Sequence, residues 1–414
     1  MRYNARNLHQ LPRLDMPTPP SFWKSLSASH LSAGFIAVLV GYTSSAVIIF
    51  QAAEAAGATA DQIGSWLAAL GLAMGVTSIG LSLRYRQPIL TAWSTPGAAL
   101  LAVSLPGTPL SDAIGIFMFC AALIVLCGVT GWFARLMQLI PQSLAAAMLA
   151  GVLLRFGLDA FASLQSDFTL ILAMLITYLF AKRWLPRYAI LLVLIVGLGL
   201  AIGGGETRLA DTHWSMTQPQ AVWPTFSLAS LIGVGLPLFV VTMASQNAPG
   251  VATLRAAGLD APVSPLMIWT GLTALILAPF GGFTVCLAAI TAAICMGSDV
   301  HPDPARRYPA AVCAGGFYLL AGVFGGSIGT LFDALPHALV VGIAGLALLP
   351  TIGGSLSGAL AAPEQREAAL ITFLTTASGV TLFGIGAAFW GLVAGVLALI
   401  IAGHWTRERR KLPV

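Results

Sequence analysis

The sequence predicts an all-α integral membrane protein with about fourteen transmembrane segments, arranged as a 7+7 inverted repeat. Of its 414 residues, 57% are hydrophobic and only 8% are charged, and the mean hydropathy is +0.88. A soluble globular domain carries roughly 25% charged residues. Apolar stretches of membrane-spanning length recur along the whole chain. These observations exclude a soluble protein.

Fourteen apolar stretches are candidate spans. They lie near residues 29–51, 62–83, 88–104, 111–133, 140–158, 168–181, 188–204, 228–247, 264–279, 281–297, 309–325, 335–352, 367–384 and 386–404. The third and the tenth differ from the rest because they are short and are interrupted by glycine and proline. Such segments in matching places of two halves are typical of secondary-transporter binding sites.

The basic residues support this count. If the N-terminus is cytoplasmic and fourteen segments cross, all of the 20 lysines and arginines except Arg155 and Arg208 fall on the cytoplasmic side. The positive-inside rule predicts such a bias, so both termini are predicted to be cytoplasmic. The net charge of +5 therefore reflects topology and gives no reason to expect a nucleic acid partner.

The chain divides into two halves of seven spans. An odd number of spans per half gives the halves opposite orientations, as in the inverted repeats of secondary transporters. The first 24 residues are too long and too polar for an ordinary signal-peptide n-region. The predicted parts are a cytoplasmic tail (1–28), a first repeat (29–204), a periplasmic linker (205–227), a second repeat (228–404) and a basic cytoplasmic tail (405–414).

The third segment contains the turn-forming run Ser94-Thr95-Pro96-Gly97. A hydroxyl residue followed by proline is typical of a helix start, with Thr95 as the N-cap and Pro96 as the first helical residue. The pattern predicts a short extended piece followed by a half-helix that begins inside the bilayer. Irregular backbone is tolerated there only when it is buried in protein or lines a cavity. The alternative is a proline kink in an ordinary helix.

The tenth segment is the counterpart of the third. Gly281-Gly282 breaks the helix, Phe283-Thr284-Val285 favours an extended strand, and an alanine-rich helix follows. If the two half-helices face each other, their unpaired N–H groups and positive dipole ends converge on one point. That point is predicted to bind an anion or a polar, electron-rich ligand.

Other polar residues interrupt apolar helices. Tyr42 and Ser45 lie in the first segment, and Gln246 and Asn247 lie near the inner end of the eighth. Isolated hydroxyls in membrane helices more often serve helix packing. Two adjacent amides in hydrocarbon need partners, so we expect a functional role for at least one of them.

No aspartate, glutamate, lysine or arginine lies near the centre of any predicted span. Intramembrane charges usually mark ion pathways and proton relays, so their absence favours a ligand that brings its own negative charge. Trp93, Phe239 and Phe283 are predicted aromatic walls of the site. The sequence predicts no metal and no cofactor, and it contains no HExxH motif of a membrane-embedded metalloenzyme.

Three motifs carry a family resemblance: AWSTPGAALL at 92–101, TMASQNAPG at 242–250 and LAAITAAI at 287–294. They resemble the bacterial benzoate membrane transporter family, of BenE type, over essentially the whole chain. The resemblance implies a proton-coupled benzoate importer of the inner membrane. It also implies distant kinship with nucleobase permeases and sulfate-type anion carriers. Those share a fourteen-helix fold with a core domain (helices 1–4 and 8–11) and a gate domain (helices 5–7 and 12–14).

The resemblance also points to site residues. The two half-helix motifs map onto Trp93, Ser94, Thr95 and Gly97, and onto Phe283 and Thr284. In nucleobase permeases an acidic residue of the eighth helix grips the base, whereas Gln246 and Asn247 occupy that neighbourhood here. This difference disfavours a nucleobase substrate and leaves the proton carrier unidentified.

The predicted function is secondary active import of an aromatic carboxylate such as benzoate. The carboxylate would be held by backbone N–H groups and by Ser94, Thr95 and Thr284, with the ring against an aromatic wall. Core and gate would move relative to each other, with a proton as the coupling ion. The alternatives are a permease for a neutral heterocycle and an inorganic-anion carrier or channel. A homodimer is expected only because related folds often dimerise.

Overall fold

A computed structural model of the protein describes residues 26–133, 141–205, 207, 216–383 and 385–403. Most of the described chain is helical, and two three-residue strands are present. The predicted basic tail and nearly all of the predicted N-terminal tail lie outside the described residues. The main helices are α1 (Ala28–Ala55), α2 (Ala60–Tyr85), α3 (Thr95–Ser104), α4 (Leu110–Thr130), α5 (Gln142–Ala162), α6 (Phe168–Trp184), α7 (Ala189–Gly203), α8 (Leu228–Ala256), α9 (Val263–Leu277), α10 (Ile290–Met296), α11 (Tyr308–Val323), α12 (His337–Ala359), α13 (Arg366–Ala377) and α14 (Ala387–Ile401), and the strands are β1 (Thr91–Trp93) and β2 (Val285–Leu287). A further helix of nine residues, Gly325–Asp333, lies between α11 and α12 in the chain and packs on α2.

Several helices are long and apolar enough to cross a membrane. Six in the described chain meet that requirement: α2, α4, α5, α8, α12, and α9 with the 3-10 turn that extends it to Phe280. Helix α1 is a seventh if its two arms, which meet at an angle of 42°, form one span. Helices α3, α7 and α14 are apolar but shorter. The prediction of a helical, multi-span membrane protein is confirmed, and the number of fourteen crossings stays a prediction.

The two strands form an antiparallel pair. Ala92 lies opposite Cys286, and Trp93 lies opposite Val285. The Ala288 N–H extends the pairing by donating to the Leu90 carbonyl (2.9 Å). Each strand leads into a short helix, β1 into α3 and β2 into α10. Pairing satisfies backbone groups that would otherwise be unpaired in an apolar interior.

Helix α3 begins one residue earlier than its sequence predicts. Ser94, and not Thr95, is the N-cap: its backbone is extended, and its hydroxyl accepts a hydrogen bond from the Gly97 N–H. Pro96 therefore occupies the second helical position, where a missing N–H also leaves no helical bond unmade. The shift frees the Thr95 side chain from capping.

The helix break before β2 requires a glycine. Gly281 has a φ of +93°, which residues with a side chain rarely adopt. A Cβ at this position would also overlap the indole of Trp66. The chain therefore leaves α9 in a direction that a non-glycine residue does not permit, and it enters the extended run that becomes β2.

The helices pack in two groups. The strand bundle contains α1–α4, α8–α11 and both strands: α2 packs on α11, α4 packs on α9, and α1 packs on α3, α10 and α11. The second bundle contains α5–α7 and α12–α14: α5 packs on α12 and α13, α6 on α7, and α13 on α14. Fewer contacts join the bundles, chiefly from α1, α3 and α8 to α5, α7, α12 and α14.

Residues 216–227, which we call the strap, are the described end of the predicted linker. The Thr217 N–H donates to the Val323 carbonyl (3.0 Å), and the Val222 N–H donates to the Pro279 carbonyl (2.8 Å). The Thr225 N–H donates to the Ser111 carbonyl (3.0 Å). All of these partners belong to the strand bundle, so the strap crosses one end of that bundle alone.

Candidate functional site

A cavity of about 600 Å³ lies between the two bundles. Its walls come from α1, α3, α8 and α10 of the strand bundle and from α5, α7 and α12 of the second bundle. It extends to Gln142 and Lys182, exposed residues at the start of α5 and near the end of α6. We call it the central cavity.

The start of α3 faces the central cavity through Thr95 and Pro96. Ser94 lies behind them, fully buried, and its Oγ accepts hydrogen bonds from the Gly97 N–H (3.0 Å) and from the Thr242 hydroxyl (3.2 Å). The Ser94 hydroxyl thus caps α3 and ties it to α8. Because that hydroxyl is occupied, Thr95 is the side chain at this helix start that is open to a ligand.

The start of α10 faces the same cavity. Ala288 and Ala289, which precede the helix, line the cavity together with Ile290 and Thr291. No side chain caps α10, so its first N–H groups lack side-chain partners. Two helix starts with their positive dipole ends therefore share one cavity, the arrangement that the two interrupted segments predict.

Trp93 forms part of the wall, supported from behind by α1. Its indole N–H donates to the Ser45 Oγ (2.8 Å), and the Ser45 hydroxyl donates to the Gly41 carbonyl (2.8 Å). The Tyr42 ring meets the indole edge to face, with ring centroids 4.7 Å apart. The Tyr42 hydroxyl is buried and has no hydrogen-bond partner among the described residues. Ser45 and Trp93 line the cavity, and Tyr42 packs behind them.

The adjacent amides of α8 have different surroundings. Gln246 lines the central cavity. Asn247 is fully buried, and its Oδ1 accepts a hydrogen bond from the Leu287 N–H (3.0 Å) while its Nδ2 donates to the Met243 Sδ (3.2 Å). Asn247 thus joins β2 to α8, and Gln246 is the amide available to a ligand.

The remaining predicted site residues do not line the central cavity. Phe283 is fully buried among Trp66 and Phe117, with ring centroids 6.4 and 6.0 Å away. Thr284 is fully buried, and its Oγ1 has no partner among the described residues. Phe239, 6% exposed, and Gly97 are also buried in the strand bundle.

Sequence analysis missed a hydroxyl network that holds β1 in place. The Thr91 Oγ1 lies 2.6 Å from the Thr77 Oγ1 and 2.9 Å from the Ser78 Oγ, and the Thr91 N–H donates to the same Ser78 oxygen (3.0 Å). One turn further along α2, the Ser82 hydroxyl donates to the Ile89 carbonyl (2.9 Å). The serine spacing of four residues in α2 was the available signal, because it places both hydroxyls on one helix face.

Lys182 is the charged residue of the central cavity lining, and no aspartate or glutamate occurs among the described lining residues. Backbone N–H groups, hydroxyls, the Gln246 amide and apolar walls complete the surface. Such a lining suits an anion that carries an apolar body.

The fold is similar to that of a solved anion transporter. The transmembrane domain of a cyanobacterial bicarbonate transporter, BicA, aligns with a TM-score of 0.57 at 14% sequence identity, over 91% of this chain and 96% of that one. At this level of identity the likeness concerns the fold.

Sequence comparison identifies closer relatives. The Escherichia coli (strain K12) inner membrane protein YdcO is 56% identical over 377 residues, which cover 91% of this chain and 96% of the relative. The benzoate membrane transport protein of Acinetobacter baylyi is 41% identical over 375 residues, which cover 91% of this chain and 95% of the relative. The family model described as BenE, benzoate membrane transport protein, matches residues 24–401. The family and the Acinetobacter relative are described as membrane transport proteins rather than enzymes, and the chain belongs to the benzoate membrane transport protein family.

Proposed function

We propose that this protein is a secondary active transporter that imports an aromatic carboxylate, benzoate or a close analogue, across the bacterial inner membrane. The observation that carries the proposal is the shared position of two helix starts, α3 and α10, on one cavity whose described lining contains no acidic side chain. The name of the 41% identical Acinetobacter relative, a benzoate membrane transport protein, supports the choice of substrate.

In the proposed binding mode, the carboxylate and the ring of the ligand contact two different surfaces of the cavity. The carboxylate accepts hydrogen bonds from the Thr95 hydroxyl and from backbone N–H groups at the start of α10, and Gln246 supplies a further donor. The ring packs against Trp93 and apolar side chains such as Leu149 and Val241 of the cavity lining. A volume of about 600 Å³ also leaves room for water beside a ligand of this size.

The proposed architecture is the inverted repeat of seven plus seven helices, with the strand bundle as core and the second bundle as gate. Helix packing supports it. When each helix number from 1 to 7 is raised by seven, and each from 8 to 14 is lowered by seven, many pairs of contacting helices become other pairs that are also in contact. The pair α2–α11 corresponds to α9–α4, and α6–α7 corresponds to α13–α14. Likewise α12–α6 corresponds to α5–α13, and α1–α7 corresponds to α8–α14.

The proposed transport cycle is alternating access through relative movement of core and gate. The central cavity extends to Lys182, which the charge bias assigns to the cytoplasmic side together with both termini. The structure then corresponds to an inward-open state. Since both half-helices belong to the core, the substrate would travel with that bundle.

A proton is the proposed coupling ion, and this part of the proposal rests on the family resemblance. Among the described residues, no acidic residue lines the central cavity. The described lining therefore contains no carboxylate that could carry the proton. The proton would then enter with the substrate or through another group. A homodimer is predicted only from the resemblance to related folds.

The test is uptake of labelled benzoate into liposomes that carry the purified protein, with and without an inward proton gradient. Saturable, protein-dependent uptake that rises with the gradient supports proton symport. Protein-free liposomes are the control, because protonated benzoic acid crosses lipid unaided. No uptake above this control would contradict the substrate assignment.

An inorganic-anion carrier or channel is the alternative that a specific observation favours, namely the fold shared with a bicarbonate transporter. A nucleobase or other heterocycle permease is the second alternative. Competition by bicarbonate, sulfate, uracil and xanthine against labelled benzoate separates the three. A channel would also conduct ligand currents at rates far above those of a carrier.

A further inference from the structure

A second cavity, of about 570 Å³, lies between the same two bundles at the opposite end of α5. The strand bundle contributes Gln51 from α1 and Ala102 from α3. The second bundle contributes Arg155 and Asp159 from α5 and His337 from α12. We call it the outer cavity, because the charge bias assigns this end to the periplasm.

The two cavities lie at the two ends of one boundary. On each of four helices, a residue that lines the central cavity and a residue that lines the outer cavity are six positions apart. A helix rises about 1.5 Å per residue, so each helix gives a separation of about 9 Å. These pairs are Ser45 and Gln51 on α1, Pro96 and Ala102 on α3, Leu149 and Arg155 on α5, and Ala347 and Val341 on α12. Four independent helices therefore agree on the thickness of the layer between the cavities.

That layer is closed by buried apolar side chains. Ile48 on α1, Ala99 on α3 and Leu153 on α5 have no exposed surface, and Ala344 on α12 has none either. The outer cavity is thus separated from the central cavity only by an apolar layer about two helical turns thick. A shift of one bundle against the other would open this layer.

Arg155 is the distinctive group of the outer cavity. It is one of two basic residues that the charge bias leaves on the periplasmic side. Its side chain is exposed and forms no hydrogen bond or ion pair with a described residue. A guanidinium in this state retains its fork of N–H donors, which matches a carboxylate in a bidentate arrangement.

Asp159 opposes Arg155 on the same helix face. The two residues are four positions apart on α5 and line the same cavity. A carboxylate here repels an incoming anion and lowers the affinity that Arg155 provides. A path for transport needs such moderation, since binding must be favourable enough to admit the ligand and weak enough to release it.

We propose that the outer cavity is the external docking site of the transported organic carboxylate, with Arg155 as its anion-binding side chain and Asp159 as the residue that limits its affinity. The proposal rests on the proposed import of an aromatic carboxylate. It goes beyond that function by adding a second site, which holds the anion before the apolar layer opens.

The test measures uptake of labelled benzoate into right-side-out membrane vesicles, over a range of external benzoate concentrations. The Arg155→Gln variant should raise the external half-saturation concentration about ten-fold or more, because it loses a charged partner of the carboxylate. The Arg155→Lys variant, which keeps the charge, should lie between Arg155→Gln and wild type. The Asp159→Asn variant should lower the half-saturation concentration. The Arg183→Gln variant, which changes an exposed basic residue outside both cavities, is the matched control and should behave as wild type.

A second measurement separates docking from folding. Benzoate affinity of the purified protein in its inward-open state reports the central cavity, so Arg155→Gln should leave it unchanged. The proposal is overturned if the Arg155→Gln and Asp159→Asn variants both keep the wild-type half-saturation concentration. It is also overturned if Arg155→Gln raises the external half-saturation concentration and weakens benzoate binding in the central cavity by the same factor. If wild-type vesicles take up no benzoate beyond vesicles without the protein, the proposed function itself fails and the docking site falls with it.

Discussion

Two threonines that the sequence assigns to one site have opposite surroundings. Thr95 lines the central cavity at the start of α3, whereas Thr284 is fully buried and its hydroxyl has no partner among the described residues. An unpaired buried hydroxyl costs about 1–3 kcal/mol, so Thr284 lowers stability where it stands. The two motif residues therefore have different surroundings although they occupy similar places in their segments.

Replacing each threonine by valine tests this distinction. The Thr95→Val variant should bind benzoate about ten-fold more weakly, since a hydrogen bond to a charged group contributes roughly 1.5 kcal/mol or more. The Thr284→Val variant should keep its affinity and should melt at the same or a higher temperature. Equilibrium binding and thermal unfolding of the two purified variants provide the comparison. Equal loss of affinity in both would place Thr284 in the site after all.

The contact between Trp93 and Ser45 makes a second prediction at this scale. The Ser45→Ala variant leaves the indole N–H without its acceptor and should lower the melting temperature, because an unpaired buried donor costs about 1–3 kcal/mol. The Trp93→Phe variant removes that donor, so adding Ser45→Ala to it should cost less than Ser45→Ala does alone. A double-mutant cycle on melting temperature measures this coupling. Strictly additive losses would show that the 2.8 Å hydrogen bond contributes nothing.

At the scale of the element, α2 and α11 approach each other closely at Gly71 and Gly322. A Cβ at Gly71 would lie 2.7 Å from the Gly322 Cα and 2.8 Å from the Tyr318 carbonyl oxygen. These are backbone atoms, which cannot turn aside as the end of a side chain does. Small residues permit such approach in membrane proteins, where packing replaces the hydrophobic effect as the force that joins helices.

Alanine substitutions at two glycines of α2 test this packing. The Gly71→Ala variant should lower the melting temperature by several degrees or prevent folding, because the two helices must separate. The Gly80→Ala variant is the control: no heavy atom lies within 4 Å of its added Cβ, and alanine favours a helix by about 1 kcal/mol over glycine. Similar melting temperatures for the two variants would contradict the close approach of α2 and α11.

Local sequence predicted the unusual elements well. Turn residues and proline identified the third segment, and Gly281-Gly282 identified the tenth, because such residues act through their own backbone. The N-cap assignment was wrong by one residue, since Ser94 and Thr95 are both suitable caps and packing against Thr242 decides between them. Which side chains face the cavity depends on pairing between distant segments, and no local pattern carries that information.

At the scale of the whole molecule, a cavity lies at each end of the boundary between the two bundles in the described part of the chain. The exposed side chain of Gln142 lies at the mouth of the central cavity, and that of Ser166 lies at the mouth of the outer cavity. Gln142 is the first residue of α5, a helix of 21 residues, and Ser166 follows the other end of that helix. Its length of about 30 Å equals the hydrocarbon thickness of a bilayer.

Single cysteines at these two mouths test the proposed orientation. A membrane-impermeant thiol reagent should label Ser166→Cys from outside intact cells and Gln142→Cys only from the cytoplasmic side. The background is low, because four native cysteines, Cys120, Cys127, Cys286 and Cys295, are buried and Cys313 is half-buried. Labelling of both variants from the same side would contradict a membrane crossing by α5.

The pairing of β1 with β2 has a consequence for biosynthesis. Thr91 and Leu287 face each other in the antiparallel pair, yet the ribosome makes them nearly 200 residues apart. At about 5–20 residues per second, roughly 10 to 40 seconds pass between the two strands. During that time β1 has no partner strand, and an unpaired strand is costly in lipid. The third segment therefore gains its partner strand only after translation has passed Leu287, about a third of the way through the second repeat (228–404). Assembly of the candidate site cannot be complete before that point.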